Sequence, residues 1–259
     1  MLRTDAPGPG PVLAAVWRRS APLDRGCHLL AAVLVVSGLV HVGVLLATGG
    51  SWSGPLSLRK PATFGLSFGL TLATVTWVLS LLPRRRPVLL GSFGLACLVE
   101  VVVITVQAWR GLTAHFGVTG AGAGVVAGAA AGGAVLILVT GAATAVGAWQ
   151  APGMSPSMRL ALRLGFVELL VGLAIGVVML AVGQVLAAGS GPGAAFVFAA
   201  ALKPAHGVAL HGILVLPALG WLLARSGLPE SRRLAVVRGA GVGSLLVVAA
   251  AVVLGLLLG

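Results

Sequence analysis

The sequence predicts an all-α, polytopic membrane protein, a bundle of seven transmembrane helices with its N-terminus in the cytoplasm and its C-terminus outside. Of its 259 residues, 58% are hydrophobic and only 8% are charged, and the mean hydropathy is +1.10. A soluble domain carries about 25% charged residues, so the composition excludes that class. Apolar runs longer than about 18 residues recur along the chain, and each is long enough to cross the hydrocarbon core of a bilayer.

The apolar runs predict the elements in their order along the chain. Each run is bounded by Arg, Lys, Pro or Gly, and the spans fall near 28–48, 61–82, 87–108, 119–148, 160–187, 203–223 and 235–258. Residues 1–27 then form a cytoplasmic N-terminal tail, and residues 28–259 form the transmembrane domain. The tail is rich in proline and arginine and has no apolar run of signal-peptide length, so we do not expect it to be a cleaved signal.

The basic residues predict the direction of insertion. Thirteen of the 17 Lys and Arg residues fall in the tail and in alternate loops, and four fall on the opposite side: Arg59, Lys60, Arg110 and Lys203. Because cytoplasmic loops retain Lys and Arg during insertion, we expect the thirteen to face the cytoplasm. With an odd number of spans, the C-terminus then lies outside.

The formal net charge of +12 does not predict a nucleic-acid partner. The basic residues lie at the ends of apolar runs and form no patch interleaved with aromatic residues, so the expected partner is the lipid bilayer. Cys27 and Cys97 offer neither a CxxC motif nor a disulfide framework. No aspartate lies in any predicted span, which excludes the Asp-rich magnesium site of prenyl-diphosphate enzymes. We predict no metal and no cofactor.

Small residues in the fourth span predict close helix packing. This span consists largely of Gly and Ala, with Gly124, Gly128 and Gly132 at four-residue spacing. Such spacing lets the backbones of neighbouring helices approach closely. We therefore expect the fourth helix to be a central packing element.

A weak internal repeat relates the second and sixth spans. Lys60-Pro61-Ala62 aligns with Lys203-Pro204-Ala205, and the same shift matches Gly69 with Gly212. Four spans separate the two helices, so they run in the same direction. The alignment indicates a parallel duplication of helices 1–3 and 5–7 around helix 4.

Ionisable and polar side chains inside the spans predict the functional site. Such groups cost roughly 2.5–3.5 kcal/mol on insertion scales, so the few present mark a bundle interior or a site. Glu100 and Gln107 share one face of helix 3, and His115 follows at its outer mouth. Polar groups also recur along one face of helix 2 at Lys60, Thr63, Ser67, Thr71 and Thr74. This stripe favours a lined cavity over hydroxyls that bond only to their own helix.

Two further groups leave alternatives open. His206 and His211 lie about 140° apart around helix 6, so they do not bind one metal ion together, and each is equally well explained as a packed, hydrogen-bonded histidine. Glu168 on helix 5 is either paired with Arg163 or another cytoplasmic arginine, or a second acid that faces the cavity. Gly172 and Gly176 continue its face at four-residue spacing.

These residues predict a membrane-embedded enzyme of the terpene cyclase type. A buried carboxylic acid protonates a prenylated, lipophilic substrate, and aromatic faces shelter the resulting cation. We expect Glu100 as the leading proton donor and Glu168 as the second catalytic candidate. The expected substrate-binding residues are His41, Lys60, Ser67, Trp77, Gln107, Trp109, Arg110, His115, Lys203, His206 and His211.

The segments Arg59-Lys60-Pro61…Phe64-Gly65, Gln107…Arg110-Gly111…His115-Phe116 and His206…Leu210-His211 resemble those of a family of bacterial seven-helix membrane proteins. The resemblance covers most of the chain and implies a location in the bacterial cytoplasmic membrane. The chain departs from the family at the short loop 189–193, where a polar loop containing Gly and Asp is expected. In size, helix count and paired carboxylates it is also similar to the membrane-bound cyclases of meroterpenoid and indole-sesquiterpenoid pathways.

Two other functions are compatible with the same residues. A haem-, metal- or quinone-binding redox protein would use His41, His115, His206 and His211, and would show a haem-like absorption band or stoichiometric metal. A small secondary transporter would use the possible repeat and the intramembrane charges. It would show alternating access and substrate flux.

Overall fold

The computed structural model of the protein describes residues 17, 20–52, 57–80, 86–112, 122–149 and 153–258. Within these residues the chain forms seven α-helices: α1 Pro22–Ala47, α2 Arg59–Ser80, α3 Pro87–Trp109, α4 Ala123–Trp149, α5 Pro156–Gly189, α6 Pro192–Leu223 and α7 Glu230–Leu258. All seven are long and apolar enough to cross a membrane. The predicted all-helical architecture with seven possible spans is confirmed, and the direction of the termini stays a prediction.

Prolines determine where several helices begin. Helices α1, α3, α5 and α6 each carry proline in the first turn, where the missing N–H would have no intrahelical partner. The Ser155 side chain caps α5 by accepting from the backbone N–H of Met158. The first helix therefore begins at Pro22, inside the segment predicted as the tail.

The predicted start of the sixth span at 203 is too late. Helix α6 begins at Pro192 and contains Pro204 and Pro217 in its interior. A proline inside a helix removes one hydrogen bond, but neighbouring helices and local adjustments compensate for this within a membrane bundle. Because the two prolines do not end it, α6 is 32 residues long. Helix α5 has 34 residues, and α2 has 22.

Successive helices run in opposite directions and form two groups. Helices α1, α2 and α3 contact one another, and so do α5, α6 and α7, while α4 lies between α3 and α5. We call these groups the first and second halves. Apart from the link through α4, the main direct contact between them is that of α2 with α6. One apolar core, whose largest side chains are Phe93 and Phe166, extends from α1 to α6.

Glycines bring the backbones together within each half. In the first half, a Cβ atom on Gly65 of α2 would lie 2.7 Å from the carbonyl oxygen of Leu34 on α1. In the second half, a Cβ atom on Gly172 of α5 would lie 2.9 Å from the backbone nitrogen of Leu210 on α6. Real Cβ atoms are not found at these distances from backbone, so only glycine permits both crossings.

One pair of closely packed glycines, Gly69 and Gly212, occupies matching positions of the proposed repeat, whereas Gly65 and Gly172 do not. Gly69 of α2 lies against Ala31 and Val35 of α1, and Gly212 of α6 lies against Glu168 of α5. The same sequence shift that aligns Lys60 with Lys203 aligns Gly69 with Gly212. The match is partial, because Gly69 lies against the backbone of α1, whereas Gly212 lies against the side chain of Glu168.

The prediction that Gly124, Gly128 and Gly132 of α4 pack closely against a neighbouring helix was wrong. Cβ atoms on Gly124, Gly128 and Gly132 would meet nothing within 4 Å, and all three residues are exposed. The close approach is made instead by Gly133, which lies against Glu100 of α3. Helix α4 links the two halves and is not a central packing element.

We predict that Gly65→Ala and Gly172→Ala each destabilise the protein, because the added methyl group overlaps the backbone of the partner helix. Overpacking of this kind costs about 1–3 kcal/mol. Gly43→Ala on α1 and Gly207→Ala on α6 are the matched controls, since their Cβ atoms would meet nothing within 4 Å. Thermal unfolding of the purified protein in detergent measures the difference. Equal melting temperatures for all four variants would contradict the proposed crossings.

Candidate functional site

The bundle has two chemically different ends. Arg59 and Lys60 lie in the first turn of α2, at the end of the bundle where α1 finishes. We call this the lysine end. At the opposite end α1 begins, α2 finishes, and α5 carries Arg159 and Arg163 in its first turns. We call this the arginine end.

Glu100 is a buried carboxyl group between α3 and α4. Its residue is 4% exposed, and its side chain lies so close to Gly133 that a Cβ there would be 2.6 Å from Oε1. Oε1 is buried and has no hydrogen-bond partner. The close contact described for this side chain is thus with α4, and not with the hydroxyl groups of α2 or the histidines of α6.

Glu168 is a second buried carboxyl group, enclosed within the second half. Its residue is 0% exposed, and its Oε2 accepts a hydrogen bond of 2.8 Å from the hydroxyl of Ser244 on α7. The side chain also lies against Gly212 of α6. Oε1 has no hydrogen-bond partner. Glu168 therefore joins all three helices of its half.

The alternative that pairs Glu168 with Arg163 is not observed. Arg163 donates from Nη2 to the carbonyl oxygen of Trp149 at 3.1 Å, and its guanidinium carbon lies 4.9 Å from the centre of the Trp149 ring. Within the described part of the chain the ion pair is that of Glu230 with Arg233, at 3.7 Å. Glu168 is held by Ser244 instead.

His41 of α1 has both ring nitrogens engaged. The indole N–H of Trp109 donates to Nε2 at 2.9 Å, and Nδ1 lies 2.7 Å from the carbonyl oxygen of Ser37. Since an indole N–H can only donate, Nε2 accepts, and Nδ1 carries the proton that is donated to Ser37. His41 is thus a neutral imidazole that ties α1 to α3.

The polar stripe of α2 is only half-buried. The Thr63 hydroxyl donates to the carbonyl oxygen of Arg59 at 2.9 Å, and that of Thr74 donates to Leu70 at 2.9 Å. These hydroxyls bond to their own helix, which is the simpler of the two interpretations. Ser67 is half-buried as well, and Trp77 packs against the main apolar core.

Two of the remaining predicted residues lie at the end of α3. Gln107 is buried and accepts from Nη1 of Arg110 at 3.3 Å, while Arg110 itself is exposed. His115 lies outside the described residues. The predicted order of an amide and a cation at this mouth is therefore observed as a direct contact.

On α6 the three predicted residues have different surroundings. The Nζ atom of Lys203 lies 4.4 Å from the centre of the Phe196 ring. His206 donates from Nδ1 to the carbonyl oxygen of Gly172 at 2.8 Å and covers Gly176. His211 is exposed and its Nδ1 bonds to the carbonyl oxygen of Gly207. The two histidines thus face different neighbours, as their spacing predicts.

In the described part of the chain, two hydrogen bonds join members of the predicted set. They pair His41 with Trp109 and Gln107 with Arg110. The two buried carboxyl groups have different environments. Glu100 lies against α4, and Glu168 is enclosed by α6 and α7. No group of three His, Cys, Asp or Glu side chains within the described ranges is suited to a metal ion.

Two contributors to these sites were missed from the sequence. Gly133 is one of many glycines in α4, so nothing in the pattern distinguishes it from Gly132. Ser244 does carry a signal, because it is a single hydroxyl in the apolar stretch of α7 from 239 to 258. A lone polar residue in such a stretch calls for a partner on a neighbouring helix.

Comparisons with known proteins do not identify the chain. No family model, no curated protein and no solved structure matches it. The resemblance to bacterial seven-helix membrane proteins and the similarity to membrane-bound cyclases therefore stay predictions. Function has to be argued from the residues of this chain.

We predict that Ser244→Ala destabilises the protein because it leaves the buried Oε2 of Glu168 without a donor. An unsatisfied buried group of this kind costs about 1–3 kcal/mol. Ser226→Ala is the matched control, since the Ser226 hydroxyl is exposed and bonds only to Leu223 of its own turn. Thermal unfolding in detergent measures both variants. If the Ser244 variant unfolds at the temperature of the control, the contact does not stabilise the second half.

Proposed function

We propose that this protein is a small secondary transporter whose first and second halves move against each other. The observation that supports this most directly is the division of the bundle into two groups of three mutually contacting helices, which are joined by α4 and by the contact of α2 with α6. Parallel repeats related by an axis along the membrane normal are a recurring plan of secondary transporters, with the substrate site at the repeat interface. In this chain the direct interface is that of α2 with α6.

The distribution of close contacts suits rigid-body movement. Within each half, backbones touch at glycine, so the helices cannot slide without collision. Between the halves, the link is α4 and the α2–α6 contact. A change in the angle between the halves therefore disturbs fewer contacts than a change inside either half.

Glu100 is the proposed proton-binding group. It lies where the first half meets the connecting helix, so movement of α4 changes its surroundings. Its Oε1 has no hydrogen-bond partner, and buried acids of this kind serve as proton relays in pumps and transporters. Glu168 is fixed by Ser244 within one half and is assigned to structure.

Acid-initiated cyclisation of a prenylated substrate is the second candidate. It is favoured by the same unpartnered Oε1 of Glu100, since a carboxyl group that stays protonated in the bundle can act as a general acid towards an alkene or epoxide. It ranks lower because the contacts described for Glu100 are with α4. The expected convergence with the hydroxyl groups of α2 and the histidines of α6 is not among them.

A redox function is the least favoured of the three. His41 already uses both ring nitrogens, and the remaining described histidines, His206 and His211, bond through Nδ1 to backbone carbonyls of different neighbours. A haem or metal would need at least one of these contacts to be broken.

We predict that spin labels will report two exchanging arrangements of the halves. In a background with Cys27→Ala and Cys97→Ala, labels at Leu46→Cys and Val185→Cys report on the lysine end. These positions are 76% and 72% exposed. Labels at Ser80→Cys and Leu222→Cys report on the arginine end. Distances should lengthen at one end as they shorten at the other, and the populations should differ between pH 5 and pH 8.

Substitutions of the two buried acids test whether protonation of Glu100 controls the movement of the halves. Glu100→Gln has the shape of the protonated acid, so it should hold the low-pH distance distribution at both pH values. Glu168→Gln is the matched control and should leave the pH response intact. One narrow distribution at each end, unchanged by pH, would rule out the proposed movement.

The second candidate predicts conversion of a farnesylated phenol or its terminal epoxide by purified protein, followed by mass spectrometry. Glu100→Gln should then slow cyclisation by about a hundredfold or more, because a positioned general acid contributes about that much. Glu168→Gln is again the comparison. Absence of product with the wild-type protein, or an equal rate in Glu100→Gln, would eliminate this candidate.

A further inference from the structure

We propose that Arg159, Arg163 and Trp149 form a binding site for the headgroup of an anionic phospholipid, at the arginine end of the bundle where α4 meets α5. The inference goes beyond the proposed transport and does not depend on it, because a lipid can bind whether or not the halves move. It rests on the contacts of the two guanidinium groups, on the exposed surface beside them and on the contacts of the neighbouring acids.

Both guanidinium groups are turned towards the segment that joins α4 to α5. Nη2 of Arg163 donates to the carbonyl oxygen of Trp149 at 3.1 Å, and Nη2 of Arg159 donates to the carbonyl oxygen of Met154 at 3.4 Å. Residues four apart on a helix are neighbours on one face. The two arginines of α5 therefore place two positive charges side by side at this connection.

Trp149 supplies an aromatic surface beside these charges. The guanidinium carbon of Arg163 lies 4.9 Å from the centre of the Trp149 ring, which is within the range of a cation–π contact. Trp149 is nevertheless 47% exposed, so part of its side chain is open to the surrounding membrane. Tryptophan is enriched at the membrane–water interface, the depth at which a phospholipid carries its phosphate.

The two guanidinium groups keep donors for a ligand. Each guanidinium group carries five N–H bonds, and the described hydrogen bonds use one nitrogen atom of each arginine. Both residues are half-buried, which holds the two charges in place at the surface of the bundle. Because the planar fork of arginine matches the oxygens of a phosphate, a phosphate group suits these remaining donors.

The described acids at the arginine end have other partners. Glu230 accepts a hydrogen bond of 2.6 Å from the backbone N–H of Ser157 and lies 3.7 Å from Arg233. Asp24 caps the first turn of α1. Helix α4 contains no acidic residue. An anion from outside the chain is therefore the group that balances the charge of the two arginines.

The exposed surface of α4 favours a lipid over a free phosphate ion. Val146, one turn before Trp149, is 58% exposed, and Val139 and Val135 are 57% and 60% exposed. Their separations along the helix place these residues on one face. This apolar face extends from the headgroup level into the hydrocarbon, where an acyl chain can lie along it. A free ion would gain nothing from this surface.

Native mass spectrometry of the full-length protein tests the proposal. The protein is purified in a neutral detergent and titrated with phosphatidylglycerol or with phosphatidylcholine of the same acyl chains. We expect phosphatidylglycerol to bind about tenfold more tightly or better, because two positive charges attract its anionic headgroup. The melting temperature should rise with phosphatidylglycerol, and not with inorganic phosphate at the same ionic strength. Equal binding of the two lipids, or an equal rise with phosphate, overturns the proposal.

Variants connect the lipid preference to the two arginines. Arg159→Gln and Arg163→Gln should each weaken the binding of phosphatidylglycerol about fivefold, because each removes one positive charge near the headgroup. The double variant should lose the preference, and Arg163→Lys should keep most of it because the charge remains. Arg225→Gln is the matched control. Arg225 also lies over a ring, that of Trp221 at 3.5 Å, but α6 has no second arginine one turn away.

The second lipid separates a lost site from a misfolded protein. Binding of phosphatidylcholine should be the same in the wild type and in every variant, because it does not depend on the two charges. If the arginine variants lose both lipids to the same extent, the site is not selective for anionic headgroups and the proposal fails. It fails as well if the preference survives in the double variant, or if Arg225→Gln reduces it as much as Arg163→Gln does.

Discussion

Backbone contact at glycine is the constraint on which this bundle depends. Between lipid-exposed helices there is little hydrophobic gain from association, because lipid tails are as apolar as leucine. Packing must then come from surfaces that fit closely, and Gly65 and Gly172 provide such surfaces in the two halves. The same close approach leaves room for a carboxyl group where glycine faces it, as at Gly133 and Gly212. Glycine therefore allows the helices to pack closely and also makes room for the two buried carboxyl groups.

The seven helices could be predicted because the bilayer itself imposes length and polarity on each span. Proline was the main source of error, since Pro204 resembles a helix start in the sequence and yet lies in the interior of α6. The rotation of α4 could not be predicted either. One residue turns a helix by about 100°, so Gly132 faces open space while Gly133 touches Glu100.

The sequence identified the unusual residues of the candidate site, but it did not predict which residues they contact. Rarity alone identified Glu100, Glu168 and the lysines, because each ionisable group in an apolar span is conspicuous. Their partners depend on contacts far apart in the chain, such as Ser244 with Glu168, and a single sequence has no local signal for such pairs. Among the residues expected to enclose one pocket, the described hydrogen bonds pair His41 with Trp109 and Gln107 with Arg110, and the enclosure itself stays a prediction.

The unequal helix lengths have a consequence for the surrounding lipid. With a rise of about 1.5 Å per residue, α5 extends roughly 51 Å and α2 roughly 33 Å, while the hydrocarbon core measures about 30 Å. One side of the molecule thus suits a bilayer of ordinary thickness, and the other side exceeds it. Arg159 and Arg163 lie in the first two turns of α5, and such residues are placed at the headgroups and not in the hydrocarbon. The extra length of α5 therefore projects past the bilayer core at the arginine end and gives the molecule a taller rim on that side.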